Sequence, residues 1–165
     1  MRIGIGYDAH RLTRGRPFVL GGVEIPFEQG LEGWSDADVV VHAIIDALLG
    51  AAALGDIGTH FPANDPAYEG ISSIVLLGHT RNLLRDQGWR ISNIDATVIA
   101  ERPLIHPFVD QMRQNISQAL SISKSQVGIK ATTTEGLGFT GREEGIATFA
   151  VASLIQEETK SDLKA

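Results

Sequence analysis

The chain has 165 residues, 43% hydrophobic and 21% charged, which suits one globular domain with a single sizeable core. It has no cysteine, which excludes disulfides, thiolate chemistry and cysteine-held zinc, so any metal must be taken by His, Asp or Glu. A formal net charge of −6 argues against nucleic acid as a partner, so a phosphate-bearing ligand would need amides, metal ions or a few local cations to offset it.

Residues 1–8 read as a short strand. No apolar run is long enough to span a bilayer, and MRIGIGYDAH turns polar too soon for a signal peptide. The expectation is therefore a cytoplasmic protein with no membrane partner. FVLGGVEI (18–25) places a Gly-Gly pair between apolar segments, the mark of a hairpin or bulged strand. The strongest helix signal is SDADVVVHAIIDALLGAAALG (35–55). Ser35 is its expected N-cap, Asp36 and Asp38 load the first turn, and Gly55 is the expected stop. A second helix is predicted from Ser73 to Gln87, with Gly88 ending it, then a strand over 94–101. Pro107 to Leu120 reads as a third helix with proline in its first turn. VGIKATT (127–133) and GIATFAVASLI (145–155) read as the last strands, the second apolar enough to be buried on both faces. The expected fold class is α+β, a mixed sheet with helices on one face. One domain is expected over 1–155, followed by a polar tail over 156–165.

Side chains alternate along a strand, so Asp8 and His10 in GYDAH point the same way and can grip one cation. His42 lies inside the long helix signal, four residues from both Asp38 and Asp46. If strand and helix pack together, Asp8, His10 and His42 make a two-histidine, one-carboxylate site of the catalytic zinc kind. Asp46 is then the expected partner that orients His42. The start of the helix, Gly33 to Asp36, is expected to offer free amides to an anion, with Ser35 among them. In GDIGTHFPANDP (55–66), Asp56 and Gly58 suit a polyol hydroxyl, and Asn64-Asp65-Pro66 is a turn. In KATTTEGLGFTGREEG (130–145), hydroxyls, amides and Glu135 together suit phosphate and magnesium, since hard cations take oxygen ligands.

These motifs, in this order, resemble the 2-C-methyl-D-erythritol 2,4-cyclodiphosphate synthase family: GYDAH, SDADVVVHAIIDALLGAAALGDIG, FP-x-x-DP and KATTTE-x-LGFTGR-x-EGIA. The resemblance runs from Met1 to about Ile155. It implies a homotrimer with active sites between subunits, and a step of the non-mevalonate isoprenoid pathway. The substrate would be 4-diphosphocytidyl-2-C-methyl-D-erythritol 2-phosphate, whose 2-phosphate attacks the β-phosphorus as CMP leaves. One Zn2+ per subunit would be held by Asp8, His10 and His42. A second ion, Mg2+ or Mn2+, would bridge the diphosphate near Glu135. Thr133 matches the polarising threonine. The cytidine would be held from a neighbouring subunit by Ala100 to His106, including Pro103, Leu104 and Ile105, and by Ala131 and Thr132. The erythritol would be held by Asp56 and Gly58, with Phe61 to Asp65 lining its pocket. Phe139 and Arg142 match further substrate-lining positions. Many relatives carry histidine where this chain has Trp34, at a position given a role in the transition state. An indole offers one N–H and no charge; it could still donate to a phosphate, or the backbone here could suffice. The segment Leu104-Ile105-His106 also lacks a lysine seen in some relatives.

Two other functions fit the same residues: a zinc-dependent phosphohydrolase of a nucleoside diphosphate, and a non-catalytic trimeric binder of phosphorylated isoprenoids. The products separate the three, as cyclic diphosphate plus CMP, free phosphate, or no turnover.

Overall fold

The computed structural model describes residues 1–156. Strand β1 (Arg2–Thr13) alternates strictly. Gly4, Gly6, Asp8 and His10 share one face, and Ile3, Ile5 and Tyr7 share the other. Two short strands follow, β2 (Val19–Leu20) and β3 (Val23–Glu24), paired antiparallel across Gly21 and Gly22. Both glycines have positive φ, as a tight two-residue hairpin turn requires. Strand β4 (Gly30–Leu31) edges the main sheet beside β1.

Helix α1 (Val39–Ala52) starts later and ends earlier than the sequence suggests. Its N-cap is Asp38, not Ser35, and Asp38 accepts from the Val40 and Val41 amides. The end falls at Ala53 in the left-handed region, not at Gly55. Ser35 lies outside the helix because Ala37, at φ 58°, breaks the helical path between them. The Val40 and Val41 amides of the first turn are therefore already taken by Asp38. Asp38 is fully buried and also accepts from Gly21 and Gly22, tying the β2–β3 turn to the helix. Burial pushes its carboxyl pKa up and the Asp36 charge adds to this, while the amide hydrogen bonds oppose.

Helix α2 (Ile57–His60) is a single turn capped by Asp56, and α3 (Ser73–Asp86) follows. Strand β5 (Trp89–Ile99) starts five residues before the expected 94 and ends two before the expected 101. Helix α4 (Val109–Leu120) is preceded by a 3-10 turn, His106–Phe108, which takes up the proline. Then come β6 (Val127–Thr132), the short α5 (Gly138–Gly141) and β7 (Gly145–Gln156). Gln156, expected to open the tail, is the last residue of β7; residues 157–165 lie outside those described.

The sheet order is β4-β1-β7-β5-β6, with β5 and β6 parallel and the other pairs antiparallel. It is the expected mixed sheet. Helix α1 packs on β1, β7 and β5, α3 packs on α1 and α4, and α4 packs on β6. The core lies between sheet and helices, where Ile44, Leu48, Ile94, Val98 and Leu154 are buried. The opposite face is not covered. Ile3 is 65% exposed, Ile5 69%, Phe149 45% and Val151 43%, so β7 is not buried on both faces as its composition suggests.

Close contact between β1 and α1 depends on two glycines. A Cβ on Gly4 would overlap the Ala47 carbonyl oxygen and the Ala51 amide; one on Gly6 would overlap the Ala43 carbonyl oxygen and press on the Ala47 amide. Ala43, Ala47 and Ala51 recur every four residues and present this small-residue stripe to the strand. The helix backbone rests directly on the strand backbone, and the contacts step back along α1 as β1 advances. That direction brings His42 over Asp8 and His10.

Candidate metal centre and its flanking cavities

Three side chains converge where β1 passes the first turn of α1. Asp8 Oδ2 lies 2.8 Å from His10 Nε2 and 3.0 Å from His42 Nδ1, and the two imidazole nitrogens are 3.1 Å apart. Tetrahedral ligands about 2.0 Å from one ion stand roughly 3.3 Å from each other. The triangle therefore fits a divalent cation after a small outward relaxation, and among the described residues it is the group of such side chains placed to hold one.

Backbone and side chains fix both histidines from behind. His10 Nδ1 is 2.6 Å from the Glu32 carbonyl oxygen, which only accepts, so Nδ1 carries the hydrogen and Nε2 turns inward. His42 Nε2 faces Ser73 Oγ at 2.8 Å and Ser35 Oγ at 3.2 Å. Asp46, the partner expected for His42, does something else: its Oδ1 accepts from the Ile57 amide at 2.8 Å and so anchors α2. Spacing alone put Asp46 on the right helical face, but α2 docks against it first. Ser73 and Asp36 were missed because Ser73 is 31 residues from His42, a separation no local period reports.

Without a metal, Asp8 attracts any hydrogen or positive charge that the two imidazoles carry toward it. Burial raises the Asp8 carboxyl, but hydrogen bonds and charge from His10 and His42 outweigh it and hold it well below the usual carboxylate range. Burial lowers His10, and the Asp8 hydrogen bond and charge more than reverse this, leaving it above its ordinary value. A site that favours positive charge between a carboxylate and two imidazoles is one that a cation can enter.

The centre opens into a cavity of about 230 Å³ lined by Trp34, Ser35, Ile57, Gly58, Phe61, Ala63, Tyr68 and Leu76 along with the three ligands. Asp56 is not among the lining residues; its Oδ1 accepts from the Thr59 amide and hydroxyl. Asp65 caps the turn after it through the Ala67 amide. The Trp34 indole N–H donates to the Asp65 carbonyl at 3.0 Å, so the donor expected for a phosphate is already engaged in holding this loop.

A second cavity, about 370 Å³, lies at the ends of β5 and β6. It gathers Ala100, Pro103, Leu104, Ile105, His106, Ala131, Thr132 and Thr133, as the resemblance implies, together with Glu101 and Lys130. The two cavities share no lining residue. Glu135 sits beyond, at φ 54°, accepting from the Thr133 hydroxyl at 3.1 Å. Glu101, which sequence reasoning passed over, accepts from the Thr134 amide and hydroxyl and the Gly136 amide, and so sets this turn. Phe139 lines a third, apolar hollow with Tyr7 and Phe149, and Arg142 is exposed and paired with Glu144. Within one chain, then, Glu135, Phe139 and Arg142 are not brought to the metal centre.

A family model described as YgbB family matches residues 1–155. The chain belongs to the YgbB family. It is 63% identical over 154 residues to a 2-C-methyl-D-erythritol 2,4-cyclodiphosphate synthase of Agathobacter rectalis, covering 93% of this chain and 87% of that one. Among solved structures it resembles the bifunctional IspDF of Campylobacter jejuni at TM-score 0.92 and 39% identity. That match covers 95% of this chain but only 42% of the bifunctional protein. It also resembles a CDP complex of IspF from Plasmodium falciparum, at TM-score 0.83 and 36% identity, covering 95% and 97% of the two chains. These YgbB-family relatives are enzymes, and no described helix of this member is long and apolar enough to cross a membrane.

Proposed function

We propose that this chain is a 2-C-methyl-D-erythritol 2,4-cyclodiphosphate synthase, a phosphorus–oxygen lyase acting in the cytoplasm. Its substrate is 4-diphosphocytidyl-2-C-methyl-D-erythritol 2-phosphate. The 2-phosphate oxygen forms a bond to the β-phosphorus, the bond from that phosphorus to the CMP oxygen breaks, and the cyclic diphosphate and CMP result. No water is consumed and no protein nucleophile is needed. The 63% identity to a curated synthase, across 93% of this chain, is the observation that carries this reading.

Asp8, His10 and His42 would hold Zn2+, one per subunit. When bound, the ion supplies a Lewis acid that offsets phosphate charge and polarises phosphorus. The chain's own residues position the substrate. The apolar walls of the smaller cavity, Ile57, Phe61 and Leu76, exclude water around the erythritol, and the Gly58 segment lies against it. The second cavity takes cytidine between Ala100 to His106 and Ala131 to Thr133, in keeping with the CDP named for the similar solved structure. Thr133 would polarise the diphosphate, its hydroxyl oriented by Glu135. Holding both ends of one flexible molecule replaces a chance encounter of two phosphates with a fixed approach. Glu135 would lie near a second ion, Mg2+ or Mn2+, at the diphosphate, where hard cations take oxygen ligands.

A homotrimer would bring these pieces together. The uncovered stripe of Ile3, Ile5, Tyr7, Phe149 and Val151 is a contiguous apolar face of the sheet, of the kind subunits bury. In such an assembly the metal cavity of one subunit would face the cytidine cavity and the Glu135 turn of the next. Incubation with the diphosphocytidyl substrate, with and without chelator, followed by phosphorus NMR tests the reading. Cyclic diphosphate plus CMP is expected without chelator. Inorganic phosphate, or no turnover in metal-replete protein, would overturn it.

A further inference from the structure

His42 is held between two carboxylates that ask for its proton on opposite sides. Asp8 Oδ2 faces Nδ1 at 3.0 Å. On the far side, Nε2 faces Ser73 Oγ at 2.8 Å, and Ser73 Oγ in turn lies 2.5 Å from Asp36 Oδ1. A carboxylate only accepts, so the Ser73 hydroxyl hydrogen is committed to Asp36. What Ser73 has left for His42 is a lone pair, which can only accept from Nε2–H. The opposite polarity would set an Asp36 oxygen against a serine lone pair with no hydrogen between them.

We propose that Asp36 and Ser73 form a positioning relay that keeps the His42 hydrogen on Nε2 and so leaves the Nδ1 lone pair free for the metal. Without it, Asp8 draws the hydrogen to Nδ1 and closes the position a cation needs. Ser73 is fully buried, and the Asp36 carboxylate also accepts from the Ser73 amide at 2.9 Å, so the hydroxyl cannot drift from its place. Plain capping of α3 needs the amide contact alone; the N-cap of α3 is Ser72, which makes no side-chain capping bond. Ser35 Oγ stands 3.2 Å from the same nitrogen but also accepts from the Ala37 amide and has no carboxylate behind it, so it does not set the tautomer.

The inference rests on Asp8, His10 and His42 being a metal centre, and the test separates the two. Asp36→Asn is the decisive variant. Its amide oxygen keeps the Ser73 amide, held at 2.9 Å, over the longer 3.3 Å contact from the Asp38 amide to Oδ1, so its NH2 now faces Ser73 Oγ. The serine hydroxyl must then turn to donate to His42 Nε2, and the imidazole hydrogen moves to Nδ1. Metal-stripped wild type, Asp36→Asn, Ser73→Ala and Ser35→Ala are titrated with Zn2+ and Co2+ against a chelator, the Co2+ visible absorption is recorded, and metal-free thermal unfolding is measured for each.

Expected is a ~10–100-fold loss of metal affinity for Asp36→Asn, a smaller loss for Ser73→Ala, and less than about threefold for Ser35→Ala. Ser73→Ala is the milder change because it removes the acceptor without reversing it. A structural role alone would make affinity follow metal-free stability instead, with Ser73→Ala at least as impaired as Asp36→Asn. That ranking, or Asp36→Asn binding as tightly as wild type, would overturn the relay and leave the metal centre standing. Wild type that takes up neither metal would overturn both. Should Asp36→Asn fail to fold, equal losses in Ser73→Ala and Ser35→Ala would count against the relay, and a loss confined to Ser73→Ala would support it.

Discussion

The metal centre and the turn over 131–136 carry equally polar side chains, yet the fold treats them differently. At the metal centre both histidine ligands have a second contact behind them: the Glu32 carbonyl for His10, and Ser73 and Ser35 for His42. At the turn, Thr133 and Glu135 hydrogen-bond to each other and face solvent, and Leu104 alongside is 73% exposed. One region is finished by folding of a single chain. The other is braced from one side by Glu101 and presents its remaining groups outward, as a half-site does. The metal centre is preorganised within one chain, and in the proposed trimer a neighbouring subunit would complete the turn.

The sharpest way to break the contrast is to remove a metal ligand. His42→Ala should lower zinc affinity by more than about 100-fold, beyond what losing a supporting contact costs, and abolish turnover while the fold persists. Zinc titration and circular dichroism check both halves. Ile5→Asp attacks the other region. It places a charge on the uncovered sheet face, whose burial unpaired costs several kcal/mol, so it should yield folded monomers in sedimentation with their zinc retained and turnover lost. Retained trimers would show that this face is not the interface. Gly6→Ala tests the frame itself. The added methyl meets helix backbone rather than a yielding side chain, so a loss of about 1–3 kcal/mol or more is expected in denaturant unfolding, with weaker zinc binding.

A pH series sharpens the comparison further. His10 sits above its ordinary value of 6.5, so its pairing with Asp8 stabilises the metal-free chain fully below that pH and is lost as pH rises through the raised value. Zinc requires neutral imidazoles, so its stabilisation grows over the same range. The gap in melting temperature between zinc-loaded and metal-free protein should widen from about pH 6 to about pH 8. The smallest effect expected is for Trp34→Phe. It deletes the N–H to the Asp65 carbonyl and keeps an aromatic, though smaller, ring, costing about 1 kcal/mol, seen as a raised KM with little change in kcat.

Much of this was legible in the sequence. Alternation placed Asp8 with His10, the 18–25 glycines marked their hairpin, and the long apolar helix carried His42 in the predicted place. What stayed hidden depended on tertiary contacts. Ser35, Asp36 and Asp38 are all good caps by residue type, and only the docking of the Gly21–Gly22 turn onto Asp38 and of Ser73 onto Asp36 decides among them. β7 reads as doubly buried because Phe149 and Val151 look the same whether they meet a core or a neighbouring subunit. Asp46 shows the converse limit: helical periodicity placed it on the right face, but the Ile57 amide reached it.

The bare seam between β1 and α1 also sets how firmly the ligands are spaced. Where two elements meet through interdigitated side chains, rotamers shift and the gap breathes. Here carbonyls and amides abut, with no torsion in between to give way. The seam works like a machinist's stop. The reach from Asp8 to His42 is gauged by hard atomic radii one turn away, so the triangle should keep nearly the same dimensions with and without a metal.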